Sequence, residues 1–218
     1  MADSVQDRAV ILSSIRRSLG VLETAPSIQA EYAAIPRSYA QSNSLDERAV
    51  LELFADRLRE YDAGVYLADA PSISRVITEI LNARGKTGVA IPSGVPADWL
   101  PHGFAFEVAN LFDAHQLDEA QGVLTGCTVA IAETGSIVLQ NAAAQGPRIL
   151  SLVPDYHLCL VFADQIVATV PEAFDRIAGT SMLPTTFISG PSATADIEMT
   201  RIKGVHGPRF LDVLLVSG

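Results

Sequence analysis

From Ile188 to Arg209 the chain reads ISGPSATADIEMTRIKGVHGPR. Gly190, Ser192 and Thr194 are followed by two carboxylates, Asp196 and Glu198, and then by His206 and Arg209. The stretch follows a predicted strand, Thr185–Ser189. A strand, a glycine turn and a helix N-terminus leave backbone N–H groups pointing outward, which suits an anion. Ser192 or Thr194 would cap the helix. A turn and a helix cap with acids in the first turn account for the same residues, so both readings stand on chemistry alone. On a helix, Ser192 and Asp196 share one face and Thr194 and Glu198 another. The carboxylates then diverge, and a shared metal site is not expected. His206 and Arg209 would supply a titratable ring and a fixed cation.

A second constellation, AETGS, sets Glu133, Thr134, Gly135 and Ser136 at the tip of a predicted hairpin, with Gly135 in the left-handed position of a three-residue loop. It gains meaning if the tip faces the glycine-rich segment. His157 opens an apolar run and is expected to be buried and hydrogen-bonded. Gly-x-Gly-x-x-Gly after the first strand, Gly-Lys-Ser/Thr, Gly-x-Ser-x-Gly and His-Glu-x-x-His are all missing, which removes support for most familiar enzyme classes.

The elements that must position these residues alternate. Val5, Ala9, Leu12, Ile15 and Leu19 recur at helical spacing, with a Ser4/Asp7 cap and a stop at Gly20. Residues 21–43 lose periodicity and read as an extended arm. The core is taken to begin at Ser44, where Ser-Leu-Asp-Glu reads as a capping box. The stretches GVYLA, GVAI and FEVANL read as strands, with a helix over residues 72–84 between the first two. This is the rhythm of an α/β domain with a largely parallel sheet. After Gly122, CTVAIA, SIVLQ, ILSLV and HLCLVF come with short gaps and read as antiparallel strands. A short helix at 171–179 and the strands TTFIS and FLDVLLV complete the chain. The expected organisation is an N-terminal helix and arm at 1–43 and an α/β domain at 44–218, its mixed sheet flanked by helices.

Composition limits the partners. Fifteen Lys and Arg against 25 Asp and Glu leave a net charge of −10, which disfavours nucleic acid. Two cysteines, Cys127 and Cys159, sit in apolar runs without a Cys-x-x-Cys. They read as buried free thiols of a reducing cytoplasm, too few for a four-thiolate iron–sulfur cluster. The N-terminus does not read as a signal peptide, and no apolar stretch reaches the ~18 residues of a membrane span.

Taken together, AIAETGSIVL, PDYHLCLVFADQIV, ISGPSATADIE and GVHGPR, in that order, resemble the LUD domain of lactate-utilisation proteins of the C type. The resemblance implies a fold similar to that of sugar-phosphate isomerases and CoA transferases. It also implies a cluster-free component of a system that oxidises L-lactate to pyruvate, with iron–sulfur clusters carried by partner subunits and no cofactor held by this chain alone. The implied ligand is a small carboxylate or phosphate, held by Thr134, Gly135, Ser136, Gly190, Ser192, Thr194, Asp196, His206 and Arg209. CoA transferases use a Glu-x-Gly nucleophile, which Glu133 resembles only weakly. The competing expectation is a stand-alone enzyme or sensor for a phosphorylated or CoA-linked molecule. The N-terminal arm offers a route to a homo-oligomer.

Overall fold

The computed structural model describes residues 2–19, 25–109, 111–194, 202–203 and 207–217. Residues 1–40 and residues 41–218 form two compact units. The first carries helices α1 (Ala2–Leu19) and α2 (Ala25–Ala34). Helix α1 begins ahead of the expected Ser4 cap, and Gly20 lies outside the described residues. Helix α2 replaces the expected extended arm. Four alanines outweigh its weak periodicity, and Pro26 falls in the first turn, where a missing N–H costs nothing. Arg37 closes the helix, donating to the carbonyls of Tyr32 and Ile35 with its guanidinium 4.7 Å from the Tyr32 ring centre.

The second unit opens with α3 (Glu47–Glu60), capped by Asp46, whose side chain accepts from Ala49 N at 2.8 Å, and not by Ser44. Strand β1 (Gly64–Asp69), helix α4 (Ile73–Ala83), β2 (Gly88–Ile91) and β3 (Ala105–Val108) follow as the apolar runs predict. Next come α5 (Ala114–Glu119), β4 (Val123–Thr125), β5 (Val129–Ile131), β6 (Ser136–Gln140) and β7 (Tyr156–Phe162). Then follow β8 (Ile166–Val167), α6 (Val170–Ile177), β9 (Thr185–Ile188), β10 (Ala193–Thr194), β11 (Ile202–Lys203) and β12 (Phe210–Ser217).

Six strands form a parallel sheet in the order β1-β12-β7-β4-β2-β3. Its near-continuous apolar strands fit a sheet covered on both faces. One face packs Leu158, Leu160, Leu214 and Val216 under α4, which contributes Ile73, Val76, Ile77, Ile80 and Leu81. The other packs Cys159, Val161, Leu211, Val213 and Leu215 against α3 and the inner side of a second, four-stranded sheet. That sheet runs β8-β5-β6-β9, with β5 antiparallel to β6, β6 antiparallel to β9, and β8 parallel to β5. Helix α6 covers its outer side through Ala173 and Ile177.

Two strand readings change. HLCLVF is a strand, but β7 lies in the middle of the parallel sheet between β12 and β4. ILSLV is not a strand: residues Arg148–Ser151 form a 3-10 turn, in which Leu150 N donates to Pro147 O at 3.0 Å. Prolines at 147 and 154 bracket the run, and Ile149, Leu150 and Val153 pack with α5, where Leu150 meets Leu117 and Val123.

Candidate functional site

The hairpin tip and the glycine-rich segment meet. Thr134 Oγ1 donates to Ser136 Oγ at 2.8 Å, and the Ser136 and Ser189 hydroxyls stand 2.6 Å apart. Three hydroxyls thus link two loops 53 residues apart in sequence. The antiparallel pairing of Ile137 with Ile188 across β6 and β9 enforces the contact, because Ser136, just before Ile137, is brought alongside Ser189, just after Ile188. Four residues, Ala132 to Gly135, separate the paired Ile131 and Ser136, one more than the expected loop.

Both loops lie against the last turn of α3. Gly135 takes φ +60°, and a Cβ there would stand 2.9 Å from Arg57 Cβ. Gly190 takes φ +80°, and a Cβ there would stand 2.5 Å from Tyr61 Cβ. Positive φ and close approach both require glycine at these positions. Glycine in each motif is therefore explained by docking on α3.

The GVHGPR segment reaches the same place through its described residues. Ser192 N donates to Pro208 O at 2.8 Å, and a Cβ on Gly207 would lie 3.4 Å from Ser192 Cβ. Arg209 makes a bidentate pair with Asp155, Nε to Oδ1 and Nη2 to Oδ2, each 2.5 Å. Hydrogen bonding to Arg209 holds the Asp155 carboxyl below its usual range, and Asp155 raises the Arg209 guanidinium in turn. Much of the cation expected to meet a ligand is therefore engaged by a neighbour, one that sequence reasoning did not single out. Asp196, Glu198 and His206 lie outside the described residues.

The helix expected after Gly190 does not start where it should. Ala193 and Thr194 are extended and pair antiparallel with Lys203 and Ile202. Ser192 therefore caps no helix at Ala193, and residues 195–201 lie outside the described residues. Open α/β sheets place ligands at the carboxyl edge of their parallel strands, and this location differs. Strand β9 belongs to the smaller sheet, and its end is not the carboxyl edge of the parallel one. Tyr61, Asp155 and Pro208 lie in the segments that lead into β1, β7 and β12, so the joined loops sit at the amino edge of the parallel sheet. Part of the carboxyl edge is bridged by the loop after β6: Ala144 N donates to Ser93 O and Gly126 N to Ala144 O, both at 2.8 Å.

Glu133 turns away from the hydroxyls. Its Oε1 accepts from Val170 N at 3.2 Å, at the start of α6, and its own N–H donates to Ala168 O. The carboxylate opposes the helix dipole and fastens the tip to α6. Two clefts of about 380 and 860 Å³ lie elsewhere in the unit. The first is lined by β2, β3 and α5 residues such as Glu107 and Phe112, the second by α3, α6 and the β7–β8 turn. None of the candidate site residues lines either cleft. Among the described residues no group of three or more His, Cys, Asp and Glu stands ready to hold a metal. No described helix is long and apolar enough to cross a membrane.

Inside the sheet, Cys159 hydrogen-bonds Gly126 O at 3.7 Å and receives Thr125 Oγ1 at the same distance. The Cys127 thiol is pushed up by hydrogen bonding to Cys159 and by burial. Thr125 Oγ1 also meets His157 Nε2 at 2.8 Å. His157 is buried as expected, and burial pushes its pKa down to about 4.

An α/β protein with a wholly parallel main sheet and a smaller sheet packed on it is the class these elements define. Comparison with known proteins makes it specific: residues 30–216 match the LUD domain, and the chain belongs to that family. It is 44% identical over 177 residues to lactate utilization protein C of Deinococcus radiodurans, covering 79% of this chain and 82% of that one. An uncharacterized protein of Neisseria meningitidis serogroup B is 38% identical over 179 residues, 76% of each chain. A crystal structure of a DUF162 family protein from Deinococcus radiodurans superposes with a TM-score of 0.68 at 40% identity. That match covers 79% of this chain and 99% of the other.

Proposed function

We propose that this chain serves lactate utilisation as a component without a cluster of its own, working beside iron–sulfur proteins in the cytoplasm. We also propose that its joined loops hold a small carboxylate. The 44% identity to a lactate utilization protein C over most of both chains carries the first part. Two thiols, one of them hydrogen-bonded within the core, are fewer than the four ligands a cluster takes, so electrons would have to pass through partners.

For the ligand, the supporting observations are the hydroxyl chain Thr134–Ser136–Ser189 and, three residues on, Ser192, whose N–H donates to Pro208 O next to Arg209 in sequence. Hydroxyls can donate to a carboxylate and accept from the α-hydroxyl of a hydroxy acid. Arg209 keeps one guanidinium nitrogen, Nη1, outside its bidentate pair with Asp155. The engagement of Glu133 with the start of α6 argues against its use as a covalent nucleophile. Ser189 then joins the earlier candidates as the exposed end of the hydroxyl chain.

Calorimetric titration with L-lactate and with pyruvate tests the site. Saturable binding that Ser189→Ala weakens, with the thermal midpoint little changed, is the expected result. Binding unaffected by Ser189→Ala places the ligand elsewhere. Growth on L-lactate, lost on deletion of the gene and restored by the wild-type chain, tests the role itself.

A further inference from the structure

Strand β9 is the terminal strand of the four-stranded sheet among the described residues. Its far edge offers backbone donors and acceptors to any strand that comes alongside. Natural edges are commonly protected by charge, and this one has none. From Ile177 to Ala195 the sequence holds no charged residue. Beside the edge lies an exposed apolar patch. Phe187 of β9 is 45% exposed and stacks on Phe174 of α6, which is 54% exposed, with ring centres 5.8 Å apart. Met182, 94% exposed, and Leu183 lie in the turn that enters β9. The charges of α6 are turned elsewhere: Glu172, Asp175 and Arg176 line the groove shared with α3. Glu172 bonds Thr169, and Arg176 donates to Asp164 O.

We propose that this edge and patch are the contact surface for a second copy of the chain, with β9 pairing antiparallel to β9 of the other copy. The charge distribution favours that occupant. Each copy carries −10 overall, so two copies repel wherever acidic surfaces face. A charge-free stretch lets like meet like without setting carboxylates against each other. A basic or acidic partner finds nothing there to complement. Antiparallel pairing of a strand with itself satisfies a two-fold axis, the commonest symmetry of soluble oligomers. It also joins the two smaller sheets into one and brings both Phe174–Phe187–Met182 patches together. Pro184 and Pro191 bracket the edge. Neither can donate to a ladder, so pairing is confined to the strand between them and its register is limited.

Sedimentation equilibrium of the full chain across a wide concentration range tests the proposal. A reversible dimer is expected, and high salt should leave it intact because the contact holds no charge. Met182→Glu and Phe187→Glu, changed one at a time, should each weaken association by more than about tenfold. Met182 is almost wholly in solvent, so its variant should keep the wild-type circular dichroism and thermal midpoint at monomeric concentrations. A wild-type chain that stays monomeric throughout overturns the proposal and leaves the patch to an unlike partner. A dimer that persists undiminished in both variants, or one that salt dissolves, also overturns it by placing the interface elsewhere.

Discussion

Asp212 and His157 occupy adjacent strands of the parallel sheet and are buried on its opposite faces. Their surroundings treat them differently. Asp212, on the α4 side, is fully buried and completely partnered. Arg84 donates to it twice, at 2.8 and 2.5 Å, and the Tyr156 hydroxyl donates at 3.0 Å. Arg84 is raised by that hydrogen bonding, and Tyr156 is raised by burial first and by Asp212 second. Gly64 leaves the space, since a Cβ there would collide with the carboxylate. Among the described residues His157, on the side of the second sheet, has one partner, Thr125, and its Nδ1 has none. A charge is tolerated where a helix end delivers a matching cation. An imidazole is tolerated where it stays neutral.

Removing the carboxylate breaks the first half of that contrast and should have the largest effect. Asp212→Ala strands Arg84 against an apolar face and frees the Tyr156 hydroxyl. The expected loss is about 3 kcal/mol, the low end for a broken buried pair because the Arg84 side chain keeps 32% exposure. Urea denaturation at neutral pH measures it.

The second half is sharpened by pH. His157 titrates at about 4 in the folded chain and near its ordinary value of 6.5 when unfolded. Between those values the unfolded state binds the extra proton. Stability from this group is therefore complete above about pH 6.5 and is lost as pH falls toward 4, by about 3 kcal/mol in full. In His157→Leu this part of the pH dependence should vanish. An unchanged profile in the variant would assign the acid sensitivity to other groups.

The smallest effect is expected from Thr125→Val, which removes the hydroxyl between His157 and Cys159. It leaves Nε2 as bare as Nδ1 and should cost about 1 kcal/mol. Thermal melts of the single and double variants with His157→Leu would show the cost disappearing once the imidazole is gone.

What could be read beforehand follows the same division between local and distant causes. Strands β1, β2, β6, β9 and β12 and helices α4 and α6 were legible because apolar runs and 3.6-residue spacing are local signals. The lone carboxylate in FLDVLLV was a signal passed over: a buried Asp demands a partner, though which cation answers it lies 128 residues away. The helix expected after Gly190 followed from Ser, Thr and Asp in cap-like order. At Ala193 and Thr194 the chain instead pairs with Ile202–Lys203, which no local rule encodes. The meeting of the hairpin tip with the glycine-rich segment could be anticipated, but its place at the amino edge could not. That depends on which sheet β9 joins.

Strand β12 lies between β1 and β7, yet it leaves the ribosome after both. Until it arrives, β1 can find no neighbour in the parallel sheet, and β7 lacks one of its two. Residues 64 and 212 must meet across almost the whole length of the unit, so the main sheet closes by its most distant contact. Folding of this kind is slow, and until β12 has been synthesised the half-built sheet exposes an apolar slot of one strand's width. The nascent chain is therefore a natural client for chaperones that shield such surfaces.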